Sequence, residues 1–128
     1  KPIHQIFGGA DLRQGLIETL DATDIKTVVV QGRTLTAEVI YALRGTQYDV
    51  RAYLKSETAP AHDFERIRPW TPDMDLPIAF VRGEWAGEPD FLPGRKTVIG
   101  KVDSPSLKIR YGVLDVWRVE ADDAAAAD

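Results

Sequence analysis

Four β-branched residues in a row, Thr27-Val28-Val29-Val30, constrain this chain more than any other feature. A short, continuous run of that kind reads as a strand covered on both faces. Gly32 ends it. Thr34 or Thr36 can cap the helix that follows, whose apolar positions are Val39, Ile40 and Leu43, and Gly45 fits the C′ position of that helix. Tyr48-Asp49-Val50-Arg51-Ala52-Tyr53-Leu54 then alternates as a second strand does. Residues 26–54 therefore predict a βαβ unit, a crossover that is almost always right-handed and pairs its strands in parallel.

The flanks are read from the same rules. Leu12, Leu16, Ile17 and Leu20 make an amphipathic helical face that Asp11 can cap, after Gly8-Gly9 breaks the first apolar stretch. Gly15 inside that face costs about 1 kcal/mol against Ala, so the helix needs tertiary support. His62 to Ile67 predicts one or two helical turns in a polar segment. Pro77 opens Ile78-Ala79-Phe80-Val81, and Arg82-Gly83-Glu84 reads as a tight turn into Trp85, a hairpin by turn chemistry. Thr97–Val102 reads as a strand. Asp103-Ser104-Pro105-Ser106 is a turn or a helix start with Pro105 at N1. Leu107–Val119 is a strand or a helix, and its alternation favours the strand. The expected fold class is α/β: a small mixed sheet around a central βαβ unit, with a β-rich C-terminal extension. One domain is expected over residues 1–120, and a small acidic tail over 121–128 is expected to fray.

Charge and composition narrow the function. The net charge is −4, and the sixteen basic residues are scattered, which disfavours nucleic acid and membrane surfaces. A folded patch could still gather Arg33, Arg44, Arg51 and Arg66. With no cysteine, disulfides, thiolate zinc sites and thiol nucleophiles are excluded. No apolar run is long enough to span a bilayer, and Lys1-Pro2-Ile3-His4 has no signal-peptide pattern, so a cytoplasmic or otherwise non-membrane setting is expected.

The candidate site residues are few. His4 and His62 lack metal-ligand spacing and read as surface residues. Asp49, Asp63, Glu65, Asp73, Asp75, Glu84, Glu88 and Asp90 carry no spacing that demands convergence. Ser56, Ser104 and Ser106 lack a nucleophile elbow. No catalytic residue, metal or cofactor is assigned. Gly32-Arg33-Thr34-Leu35-Thr36 sits between a strand and a helix, where free N–H groups and the helix dipole favour anions, and Arg33 could clamp a phosphate or carboxylate. Trp70, Trp85 and Phe91 are read either as core packing or as a partner interface, Trp85 and Phe91 flanking a Gly- and Pro-rich segment.

On these residues, Lys26 to Phe91 resembles the glutaredoxin and thioredoxin-like fold. Thr27–Val30 looks like its first central strand, Gly32-Arg33-Thr34-Leu35-Thr36-Ala37 falls at its redox loop, and Tyr48–Leu54 looks like its parallel second strand. Asp75-Leu76-Pro77-Ile78 is similar to its cis-proline step, and Ala79–Gly87 to its hairpin. The Cys-x-x-Cys motif is absent, its positions being Arg33 and Thr36, so redox catalysis is not implied. The resemblance does imply a ligand surface of Arg33, Thr34, Thr36 and Pro77 that would bind an extended peptide or a glutathione-like molecule. The expected role is a non-catalytic interaction or assembly module with protein partners or copies of itself, in a larger complex such as a virus particle or tail. The alternative is a glutathione- or anion-binding thioredoxin-like enzyme without redox cysteines.

Overall fold

In the computed structural model, which describes residues 8–55, 68–72 and 74–122, six strands form one mixed sheet. The elements run α1 (Gly8–Asp21), β1 (Thr27–Val30), α2 (Arg33–Ala42), β2 (Asp49–Tyr53), β3 (Pro69–Trp70), β4 (Ile78–Gly83), a 3-10 turn (Glu84–Ala86), β5 (Arg95–Val102), α3 (Pro105–Tyr111) and β6 (Leu114–Glu120). The strand order is β3-β2-β1-β4-β6-β5. β1 pairs in parallel with β2, Val28 opposite Val50, and with β4, Val28 opposite Ala79. The expected βαβ unit is present. β6 runs antiparallel between β4 and β5.

The β-branched run is central because both of its faces are covered. Val28 and Val30 join the core beneath α1 and α2, with Leu16, Leu35, Val39, Val81 and Val116. Val29 points the other way, into a second cluster with Trp70, Phe80, Leu92 and Trp117. Leu12, Leu16 and Leu20 are fully buried. Gly15 has a reason that the pattern does not show: a Cβ there would stand 2.8 Å from Val102 Cγ1. The missing side chain lets α1 lie directly on β5, and that packing offsets the propensity cost.

Three readings are corrected. β4 forms no hairpin with the residues after it: Glu84–Ala86 is a 3-10 turn, and β4 pairs instead with β6, Phe80 opposite Trp117. Leu107–Val119 is not one strand. Pro105 at the start of α3 opens a helix that ends at Gly112 (φ 72), before β6 begins. The β-branched content of the segment hid that break, because short helices answer to caps more than to propensity. α1 starts at Gly8, ahead of Asp11. The helical turns expected over His62 to Ile67 lie outside the described residues.

Candidate functional site

The strand order defines where a site can form. From β1 the chain builds outward through β2 and β3, then returns to place β4 on the other side of β1. Loops leaving β1 and β4 therefore diverge, and in open α/β sheets the crevice at the carboxyl ends of such strands is the usual ligand position. Here that edge holds the start of α2, the end of β4 and the 3-10 turn.

The β1 side is open. Gly32 takes φ 103, closed to most side chains, and caps α2 with no side-chain hydrogen bond. A Cβ built on Gly32 would meet nothing within 4 Å, so the side of the loop at the start of α2 is open. Arg33 and Thr34 are exposed there.

On the β4 side stands Arg82, one residue past the Val30–Val81 pair. It shares its face of the sheet with Phe80, whose ring packs edge-on against Phe91 (5.9 Å) and Tyr53 (6.0 Å). The Arg82 guanidinium lies 5.3 Å from the Phe91 ring centre. Its Nε is buried and bonded to nothing, and the side chain makes no hydrogen bond or ion pair with any described residue. Burial pushes its pKa below the ordinary arginine range, and the charge of Asp90 works against that shift. An arginine remains cationic at neutral pH under such a shift. Asp90 itself shares a hydrogen bond with Glu88, which raises the Glu88 carboxyl, as does the Asp90 charge. Glu84 is occupied, accepting the Val113 N–H at 3.0 Å. Trp85 is 67% exposed and Phe91 45%.

The residues read from the sequence divide between places. Arg33, Thr34, Trp85 and Phe91 fall on the carboxyl edge. Thr36 is buried, and its hydroxyl donates to Gly32 O (2.6 Å) and Val30 O (3.3 Å), so it holds the loop and offers nothing to a ligand. Pro77, with a cis peptide bond before it, precedes β4 and lies at the amino edge. Parallel pairing puts it level with Lys26, at least about 13 Å below Arg33 along the strands. The expected meeting of Arg33 and Pro77 does not form. Trp70 is 1% exposed and belongs to the second core, so it presents no partner surface. Arg82 and Tyr53 are not among the residues that the sequence marks: turn chemistry places Arg82 in a tight turn, and the structure places it inside β4.

Comparison with protein-family models, curated proteins and solved structures finds no match to this chain. The site must be read from its own chemistry. Among the described residues no group of three His, Asp or Glu side chains could hold a metal ion, and both histidines lie outside those residues. Asp63, Glu65, Asp73 and Arg66 also lie outside them. Asp49 is tied to Arg51 and Arg68 at the amino edge, remote from Glu84. Among the described residues, the carboxyl edge offers the half-buried Arg82 guanidinium, the exposed Arg33, the start of α2 and aromatic rings. That arrangement can bind an anion and stack a planar group.

Proposed function

We propose that this protein binds a small anionic ligand with a planar group at the carboxyl edge of its sheet. The observation that carries the reading is Arg82: a half-buried guanidinium with no hydrogen bond or ion pair to a described residue, set against Phe91 where the strand order reverses. Leaving a charged donor partly desolvated and unpaired costs stability, and a carboxylate or phosphate supplies the missing acceptor, bidentately if it is planar to the fork. The exposed faces of Trp85 and Phe91 stand where a ring could stack. From the glutaredoxin-like resemblance this reading keeps the βαβ unit and the use of its first loop for anions. Thermal unfolding with AMP, glutathione, benzoate and inorganic phosphate tests it. A ligand of the right class raises Tm by mass action, and Arg82→Met abolishes the rise. No rise with any of the four at 10 mM, or an undiminished rise in the variant, would retire the proposal.

A second reading is a protein-interaction or assembly module. It is favoured by the exposure of Trp85 and of Ile109, the latter 87% exposed on α3. Trp85 lies against the end of that helix, its Cε2 within 3.0 Å of where a Cβ on Gly112 would be. Size-exclusion chromatography with light scattering tests self-association. Assembly lost on Trp85→Ala would support the module, and a monomer at all concentrations would remove its self-assembling form.

A further inference from the structure

At the opposite, amino end of the fold a groove of about 220 Å³ runs between the end of α2 and the outer edge of β2. Its floor is apolar, from Ile40, Leu43 and Val50, and two arginines, Arg44 and Arg68, stand in its lining. We infer that this groove docks a segment of a protein partner that carries a carboxylate beside an aliphatic side chain.

Arg44 donates to Tyr41 O (2.7 Å) and stacks on the Tyr41 ring at 3.8 Å. Arg13 reaches from α1 to donate to Ala42 O (2.8 Å) and Arg44 O (3.0 Å). Arg68 donates from Nε to Val50 O (3.2 Å) and pairs with Asp49. Arg51 shares that same carboxylate. Carbonyl oxygens and rings fix the position of a guanidinium without neutralising it. Lys26 adds a further cation above the Tyr48 ring (5.7 Å), and Asp21 accepts the Tyr48 hydroxyl. Among the described residues these contacts join five cations to two carboxylates, a surplus of three, on a chain whose net charge is −4. Each engaged arginine keeps donors in reserve, since a guanidinium has five N–H groups and Arg44 uses one.

The shape selects the kind of occupant. Among the described residues β3 pairs only with Ala52 and Tyr53, and none of them adds a strand beside β2 at Asp49–Arg51. Strand addition is nevertheless blocked, because Arg68 already occupies the Val50 carbonyl. What remains is side-chain docking: an aliphatic group on the floor and an acid between Arg44 and Arg68. The volume is below that of usual drug-sized pockets, about 300 Å³ and upward, and fits one or two side chains. Charge complementarity of this kind governs association rate and partner choice.

The test is a titration of the ¹⁵N-labelled full chain with the peptide Ac-Leu-Asp-Glu-Leu-Asp-Glu-Leu-NH2, followed by amide shifts. Shifts should concentrate at residues 43–50, weaken at least fivefold on Arg44→Gln, and weaken again between 50 and 300 mM salt, as about a Debye length of screening demands. Ile40→Gln, a change at a partly exposed side chain, should weaken binding without loss of the folded spectrum. Arg82→Met should leave it unchanged, which separates this groove from the site at the carboxyl edge. Equal binding by the peptide with Lys at every acidic position, binding indifferent to Arg44→Gln, or no shift at millimolar peptide would overturn the inference. Stronger shifts at the same residues with a single-stranded oligonucleotide would assign the groove to nucleic acid and overturn it too.

Discussion

Replacing Arg82 with methionine should make the protein more stable and less able to bind. Arg82 Nε is buried without a partner, and a buried donor left unmade costs about 1–3 kcal/mol. The rest of the guanidinium is partly solvated, so the low end applies, roughly 1 kcal/mol. Methionine keeps the length of the stem and fills the space against Phe91 and Phe80 without a polar atom. For 128 residues the unfolding entropy is roughly 0.27 kcal/mol per kelvin, so Tm should rise by about 3–4 °C. Differential scanning calorimetry at low salt without added anions reads this directly. A saturating anion should then raise Tm of the native protein and leave the variant where it was, so the gap between them narrows. Destabilisation of Arg82→Met by 1 kcal/mol or more would mean that the guanidinium is satisfied within the protein. Arg82 would then have no unmet donor for an anion to fill.

Other outcomes follow from the same geometry. Gly83→Ala places a Cβ 2.5 Å from the Tyr111 carbonyl oxygen, which is backbone and cannot swing away, so denaturant unfolding should show a loss of about 1–3 kcal/mol. Phe80→Ala, at the fully buried centre of the second core, should cost about 3–5 kcal/mol in the same measurement. Burial works against ionisation of Asp49, but the hydrogen bonds and charges of Arg51 and Arg68 prevail and hold its carboxyl below the ordinary aspartate range. The ionised form is the stabilised one, so this contribution is present above the unfolded pKa and fades as pH falls below about 4, and Asp49→Asn should flatten the acid limb of a pH–stability curve. Burial, then the hydrogen bond to Asp21 and its charge, push Tyr48 up to about 12. That contribution is present below pH 10 and lost between about 10 and 12, and Tyr48→Phe should remove this alkaline step from an absorbance-monitored titration.

The parts of this fold that could be read from the chain are those in which neighbouring residues carry the whole signal. The run 27–30 demands cover on both faces, the spacing of Leu12, Leu16 and Leu20 demands one, and each receives it. Partner choice is another matter. Whether β4 turns back on its own successor or waits for β6 depends on thirty residues of intervening chain, and turn chemistry at Gly83 is compatible with both. Depth is likewise a property of the assembled sheet: Trp70 and Trp85 look alike in the chain, yet one is sealed under the second core and the other faces solvent. The glutaredoxin-like resemblance implies that Arg33 and Pro77 share one surface, but the parallel entry of β4 sets them at opposite edges. The setting of Arg82 is fixed by β4 running beside β1 and by the rings of Phe91 and Phe80 around the strand's end. Local pattern specifies which faces must be hidden, but long-range strand pairing alone selects what is hidden against what, and so where an unpaired charge is left standing.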